Sequence, residues 1–173
     1  MGTKRPRRTT LLEIDWQSWI VDMGHDVGAV DRAREVRSAA RARGWPVVCS
    51  RYVSRHPEDG PRADPESPEA SFVAGLGPDS GGTVVTKCSR DIFDVAETAA
   101  ALARLRTEHL VLTGVMTDHG VALAARSAAA RGLAVTVVAD ACAATSAQAH
   151  DRALADLRSA GAEIIRAAGL AAR

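Results

Sequence analysis

Aromatic side chains are scarce in this chain of 173 residues: three tryptophans, two phenylalanines and one tyrosine make up 3% of it. A nucleic-acid surface that stacks bases on rings has little to build from. The basic cluster Lys4, Arg5, Arg7 and Arg8 has no ring among it, the other arginines are dispersed, and the net charge is only +1. Residues 1–9 are therefore expected to be a flexible basic tail, and nucleic acid is not an expected partner. Cysteines number three, an odd count with no Cys-x-x-Cys pair, so neither a disulfide framework nor a zinc site is indicated. No apolar run approaches the ~20 residues that span a bilayer, and the first residues lack the apolar segment of a secretory signal. A cytoplasmic location and no membrane partner are the expectation.

Lysine is the scarcest charged type. Of 22 basic residues only Lys4 and Lys87 are lysine, and Lys87 closes the apolar run Thr-Val-Val-Thr. A chain that otherwise uses arginine has a reason to place the slimmer, titratable amine there.

Hydrophobic residues at 46% and charged residues at 25% describe a soluble globular chain, and its length suits a single domain over 10–173. Short β-rich apolar runs at 11–15, 46–51, 83–87, 110–114, 134–139 and 163–166 alternate with Ala-rich helical stretches. This is the pattern of a parallel sheet covered on both faces. Helices are predicted at 30–43, 94–106, 117–131 and 146–160. Gly44, Gly132 and Gly161 act as stops, and Asp94 with Glu97 forms a capping box. The expected architecture is an α/β/α sandwich around a six-stranded parallel sheet, Rossmann-like in form. Residues 54–82 are rich in proline and lack periodicity, so they form a long surface excursion, serving as a pocket wall or an oligomer contact.

Ligands of such sheets bind beyond the carboxyl ends of the strands. Asp15 ends the first predicted strand and Lys87 the third. The fourth runs into Gly114-Val115-Met116-Thr117-Asp118-His119-Gly120, a strand-to-helix turn. Taken singly, an acid at a strand end is a cap or an arginine partner, and a terminal lysine is a snorkelling surface residue. Their coincidence on one rim points to a site.

Those residues resemble the isochorismatase-like hydrolases. Ile14-Asp15-Trp16-Gln17 is similar to that family's Ile-Asp-Met-Gln motif, and the segment from Lys87 to Phe93 to its Lys-x5-Phe. Leu112-Thr113-Gly114-Val115-Met116-Thr117-Asp118 resembles its Leu-Thr-Gly-Val-x-Thr-Asp. Ala139-Asp140-Ala141-Cys142-Ala143 resembles the stretch that follows its fifth strand. Four motifs in family order span nearly the whole chain.

The resemblance implies a catalytic trio of Asp, Lys and Cys, with Asp15 and Lys87 in the first two places. The third falls on Gly120, which has no side chain. Thiolate chemistry cannot run through it. A subgroup of siderophore and phenazine pathways also carries glycine there and cleaves a vinyl ether without a covalent intermediate. The acid protonates the enol-ether carbon and water adds to the resulting oxocarbenium ion. Burial beside Trp16 and Trp19 would favour the protonated acid, and a close Lys87 ammonium would oppose it. The chain lacks that subgroup's pocket glutamine, tryptophan and tyrosine, which argues against isochorismate itself. Arg51, Arg55 and Arg90 stay open as carboxylate receivers.

The resemblance thus implies a hydrolase of a small molecule with Asp15 as general acid, Lys87 as its partner and Gly120 making room. Trp16, Gln17, Trp19, Tyr52, Val115, Met116 and His119 are expected at the pocket. It also implies a cis peptide before Met116 that aims amides into the site, a homodimer or higher oligomer, and a role in secondary metabolism such as antibiotic biosynthesis. No cofactor is expected. His56 has no acidic partner at ligand spacing, so no metal is expected either. His119 and the cluster Asp22, His25 and Asp26 also have structural readings, as helix-start and solvated-loop residues. Two rival functions stay open: a catalytically silent ligand- or partner-binding relative, and an amide hydrolase using Cys88 or Cys142.

Overall fold

Consecutive apolar residues on the central strands point to opposite sides of the sheet, and this alternation builds the layers. The computed structural model describes residues 7–171. Six strands, β1 (Thr9–Ile14), β2 (Val47–Tyr52), β3 (Thr83–Lys87), β4 (His109–Val115), β5 (Ala134–Ala143) and β6 (Glu163–Ile165), form one parallel sheet in the order β3-β2-β1-β4-β5-β6. Leu11 and Val111 face a core shared with α1 (Ser18–Val21), α2 (Ala29–Ala42) and α6 (Ala167–Ala171). Leu12 and Leu112 face the other core, under α3 (Ala96–Arg104), α4 (Ala122–Ala130) and α5 (Ala147–Ser159). All six predicted strands are present, in the expected three layers. Among the described residues no helix is long and apolar enough to cross a membrane.

The helix stops behave as their chemistry requires. Gly44 takes φ +66°, a conformation that costs a residue without Cβ little, and donates to Arg41 O while Trp45 N reaches Ala40 O. Gly132 and Gly161 end α4 and α5 with the same pair of bonds. Ser146 caps α5 by accepting from Ala149 N at 3.2 Å.

Other boundaries move. Thr9, expected in the tail, is buried and belongs to β1, while residues 1–6 of that tail lie outside the described residues. The Asp94 cap is not made. Asp91 instead accepts from Phe93 N and holds a 3-10 turn at Ile92–Asp94, so α3 begins only at Ala96. Thr117–Val121 forms a π-helical turn rather than the start of an α-helix. β5 runs on to Ala143, bulging between the Leu112–Val137 and Gly114–Cys142 pairings, so Cys142 packs within the strand and not beyond it. The excursion holds two 3-10 turns, Pro57–Ala63 and Pro68–Ala70. Its return is tied along α1 by Ser18 N to Ser71 O and Val73 N to Trp16 O.

Candidate active site

Strands β1 and β4 are adjacent, and their connections leave the sheet in opposite directions, so a crevice opens at their carboxyl ends. β4 lies close enough to β1 that a Cβ on Gly114 would fall 2.4 Å from Ile14 O, closer than any side chain tolerates. Asp15 follows β1 with φ +53°, a left-handed turn that an aspartate tolerates better than most residues. Its backbone N donates to Ser50 Oγ at 3.1 Å. Gly120 lies in the π-helical turn after β4, and the Val115–Met116 peptide beside it is cis.

Asp15 and Lys87 meet across β2. Lys87 Nζ donates to Asp15 Oδ2 at 2.6 Å, and the two side chains are 1% and 7% exposed. Ser50 Oγ donates to the other oxygen, Oδ1, also at 2.6 Å. Lys87 further reaches Ser89 O at 3.3 Å and lies 5.3 Å from the centre of the Tyr52 ring. A cation against an aromatic face is held by the ring quadrupole as well as by its counter-ion. Both carboxylate oxygens thus have donors, and Oδ2 also borders the space at Gly120. A Cβ there would lie 3.5 Å from Oδ2 and 3.0 Å from Ile14 Cγ2.

A cleft of about 250 Å³ opens over this pair, lined by Trp19, Tyr52, Arg90, Met116 and His119 together with Ile20, Met23 and Val115. Trp19 and Tyr52 stand 6.1 Å apart at 57° and form one wall, with the Arg62 guanidinium of the excursion 4.7 Å from the Trp19 ring centre. The sequence reading placed two further residues here that the structure puts elsewhere. Trp16 is 1% exposed in the core under α1 and α2, where its Nε1 donates to Thr113 Oγ1. Gln17 is fully buried and clamps the backbone of Tyr52, accepting from its N and donating to its O. Residues 15–17 follow one another along the chain and cannot all present their side chains to one cavity.

Ser50, Ile20, Met23 and Arg90 complete the site. Of these, sequence reasoning passed over Ser50, Ile20 and Met23 altogether. The available sign of Ser50 was a small polar residue inside the buried run Val47-Val48-Cys49-Ser50. Among the three arginines left open, Arg51 is committed to Pro65 O and Thr86 Oγ1, Arg55 is exposed away from the lining, and Arg90 lines the cleft.

The cysteines stand apart from this chemistry. Burial pushes the thiols of Cys49 and Cys142 up to about 12, so neither supplies a thiolate near neutral pH. Cys88 is exposed, and none of the three lines the cleft. Among the described residues no three His, Cys, Asp or Glu side chains converge as a metal-binding set. His25 is bonded to Ala144 rather than held in a solvated loop: its N donates to Ala144 O, and its Nδ1 accepts from Ala144 N. Its ring lies 5.1 Å from that of His150, which is bonded to Thr117. Burial and the neighbouring His25 hold His150 below its ordinary value.

Comparison with known proteins agrees with the geometry. An isochorismatase family protein from Desulfovibrio vulgaris superposes with a TM-score of 0.86 at 26% identity, over 95% of this chain and 97% of that one. Another, from Burkholderia thailandensis, gives 0.83 at 26% identity over 96% of each. An isochorismatase from Pseudomonas putida shares the fold, with a TM-score of 0.82 at 24% identity, over 96% of this chain and 93% of that one. The model of the isochorismatase domain matches residues 9–169. With its six-stranded parallel sheet and nearly its whole length inside that match, the chain belongs to the isochorismatase family and is an isochorismatase-like hydrolase.

Proposed function

We propose that the protein hydrolyses a small molecule by acid–base chemistry without a covalent intermediate. Asp15 handles the proton, Lys87 is its electrostatic partner, and the substrate or water occupies the space at Gly120. The observation that supports this reading most is the missing side chain at Gly120, whose Cβ position lies 3.5 Å from Asp15 Oδ2. The cleft reaches Gly120, so with no side chain there a reacting carbon or a water can approach the acid from the cleft side.

For an enol ether the steps balance as follows. Asp15 delivers a proton to the terminal alkene carbon, and the adjacent carbon becomes an oxocarbenium ion. Water adds to that carbon and returns a proton to Asp15. The resulting hemiketal collapses, breaking the carbon–oxygen bond to give a ketone and an alcohol. Net consumption is one water. The single amine beside Asp15 matters because an ammonium can share its proton with the carboxylate at 2.6 Å, whereas a guanidinium stays charged throughout. A place in secondary metabolism belongs to the same proposal and is supported by the Gly120 resemblance.

The test is a hydrolysis panel of small enol ethers and amides with the parent protein and Asp15→Asn. Turnover of an enol ether that drops by about 10²–10⁴ in the variant, with the fold and ligand binding retained, is the expected result. Turnover abolished by iodoacetamide would move the chemistry to a displaced cysteine. No turnover of any member, with ligands still bound, would favour a silent binding protein.

A further inference from the structure

The two carboxylate oxygens of Asp15 stand in unequal surroundings. Oδ2 meets Lys87 Nζ at 2.6 Å and borders the space at Gly120, whose Cβ position lies 3.5 Å away. Oδ1 is turned toward β2, where its one donor among the described residues is the Ser50 hydroxyl at 2.6 Å. Ser50 is 0% exposed, so water does not compete for that contact.

The hydroxyl is fixed from both ends. A serine has one proton to donate and lone pairs to accept with. Ser50 Oγ accepts from the Asp15 backbone N–H at 3.1 Å and donates to Oδ1, and it has no further partner among the described residues. If Oδ1 held the acid proton and donated it back to Ser50, the serine proton would lose its acceptor inside a site closed to water. A buried donor without a partner is costly, so the serine directs the acid proton to Oδ2. The backbone is shaped to make this contact. Glu13 is the register partner of Cys49 and its carboxylate meets the Cys49 thiol, so a strand that ran straight on would set the Asp15 side chain beside Arg51. The left-handed turn at Asp15, φ +53°, brings the carboxylate to Ser50 instead.

We propose that Ser50 is a positioning residue for the reaction: by occupying Oδ1 it leaves Oδ2 as the single oxygen that delivers the proton to the substrate and recovers it from water. Oδ2 is also the oxygen beside Lys87, so the proton shared within the pair lies already on the side that faces the cleft. The inference rests on the hydrolytic reading and goes beyond it in naming the oxygen that reacts and the residue that selects it.

Hydrolysis of ethyl vinyl ether and isopropenyl methyl ether by the full chain tests it, followed as released acetaldehyde and acetone, with the folded fraction of each variant set by circular dichroism. Ser50→Ala should lower kcat by about ten- to a hundredfold and leave KM within about twofold, because the hydroxyl bonds the acid and not the substrate. Ser50→Thr keeps a hydroxyl on a side chain suited to a strand and should restore kcat to within about threefold. Ser50→Cys, whose thiol is a weak donor, should not. In an Asp15→Asn background, Ser50→Ala should change kcat by less than about twofold, since the serine acts through that carboxylate alone. A folded Ser50→Ala chain that keeps its kcat, a loss carried by KM, a folded Ser50→Thr chain that recovers nothing, or equal losses in the two backgrounds would overturn the proposal and leave the hydrolytic reading standing. Parent turnover that Asp15→Asn does not diminish, or no turnover of either ether by the parent, removes that reading and this inference with it.

Discussion

Glu13 on β1 and Asp15 just beyond it are both buried acids, each holding a buried base, yet the two pairs are built differently. Arg37 of α2 grips both oxygens of Glu13, at 3.0 and 2.8 Å, and its remaining donors reach Cys49 Sγ and Gly75 O. Both side chains are nearly inaccessible. Lys87 instead touches one oxygen of Asp15, and the pair borders an open cleft. A bidentate guanidinium cannot give up its proton and uses up its partner's lone pairs, which suits a fixed strut tying α2 and the Gly75 turn to the sheet. A single ammonium is adjustable and leaves the acid able to meet a substrate. The two acids lie two residues apart, Glu13 inside β1 and Asp15 just past its end, and only the second pair meets the cleft.

The most disruptive way to break that comparison is Glu13→Gln, which leaves the Arg37 charge buried without a counter-ion. A loss of about 3–5 kcal/mol is expected in urea unfolding, with turnover per folded molecule unchanged. Replacing both partners by leucine and methionine should recover most of that loss, as a strut requires and a catalytic pair does not. Lys87→Arg sharpens the contrast from the other side. The charge is kept, but a group that cannot share its proton should lower kcat by about tenfold or more per folded molecule, while the larger group costs about 1–3 kcal/mol of stability at this buried position, as steady-state kinetics and a thermal melt together would show. Gly120→Ala asks how much space the reaction needs. Its methyl would press Ile14 Cγ2 at 3.0 Å and narrow the approach to Asp15, with an expected cost of about 1 kcal/mol in unfolding free energy and a raised KM.

The smallest effect concerns His150, whose neighbours include His25, Thr117 and the carboxylates Asp26, Asp118 and Asp151. Burial holds its folded-state value below the ordinary 6.5, so the unfolded chain binds the proton more readily. Its contribution to stability is therefore complete above about pH 6.5 and declines as pH falls below it. Thermal melts from pH 7.5 to 5 should show a decline that His150→Asn flattens. An unchanged slope would assign the decline to other groups.

Much of this is legible in the sequence. Asp15 and Lys87 are recognisable because each ends a predicted strand on the same rim, Gly120 stands out only through the family resemblance, and the strands carry their own apolar signature. Arg37 is not recognisable, since it is one of many arginines and nothing in spacing matches it to Glu13 across 24 residues. The family resemblance implies Trp16 and Gln17 at the pocket, but neighbours on an extended segment diverge. Ser50 escaped because its role depends on the left-handed turn at Asp15, which brings the carboxylate against β2. The short helices α1 and α6, of four and five residues, offer too little periodicity to read.

The excursion leaves β2 at Tyr52 and enters β3 at Thr83, whose register partner is Val48, so both its ends lie in the sheet. Its two ends are held by the sheet whatever lies between them, and the entropy of closing a loop grows only by about 0.6 kcal/mol for each doubling of its length. Changes in the segment that carries Arg62 over Trp19 should therefore leave the geometry of the Asp15–Lys87 pair intact. The room for such change lies in Pro57–Ala63, where no residue is buried, and not in the return, where Ala70 and Leu76 are buried and Arg37 reaches Gly75 O.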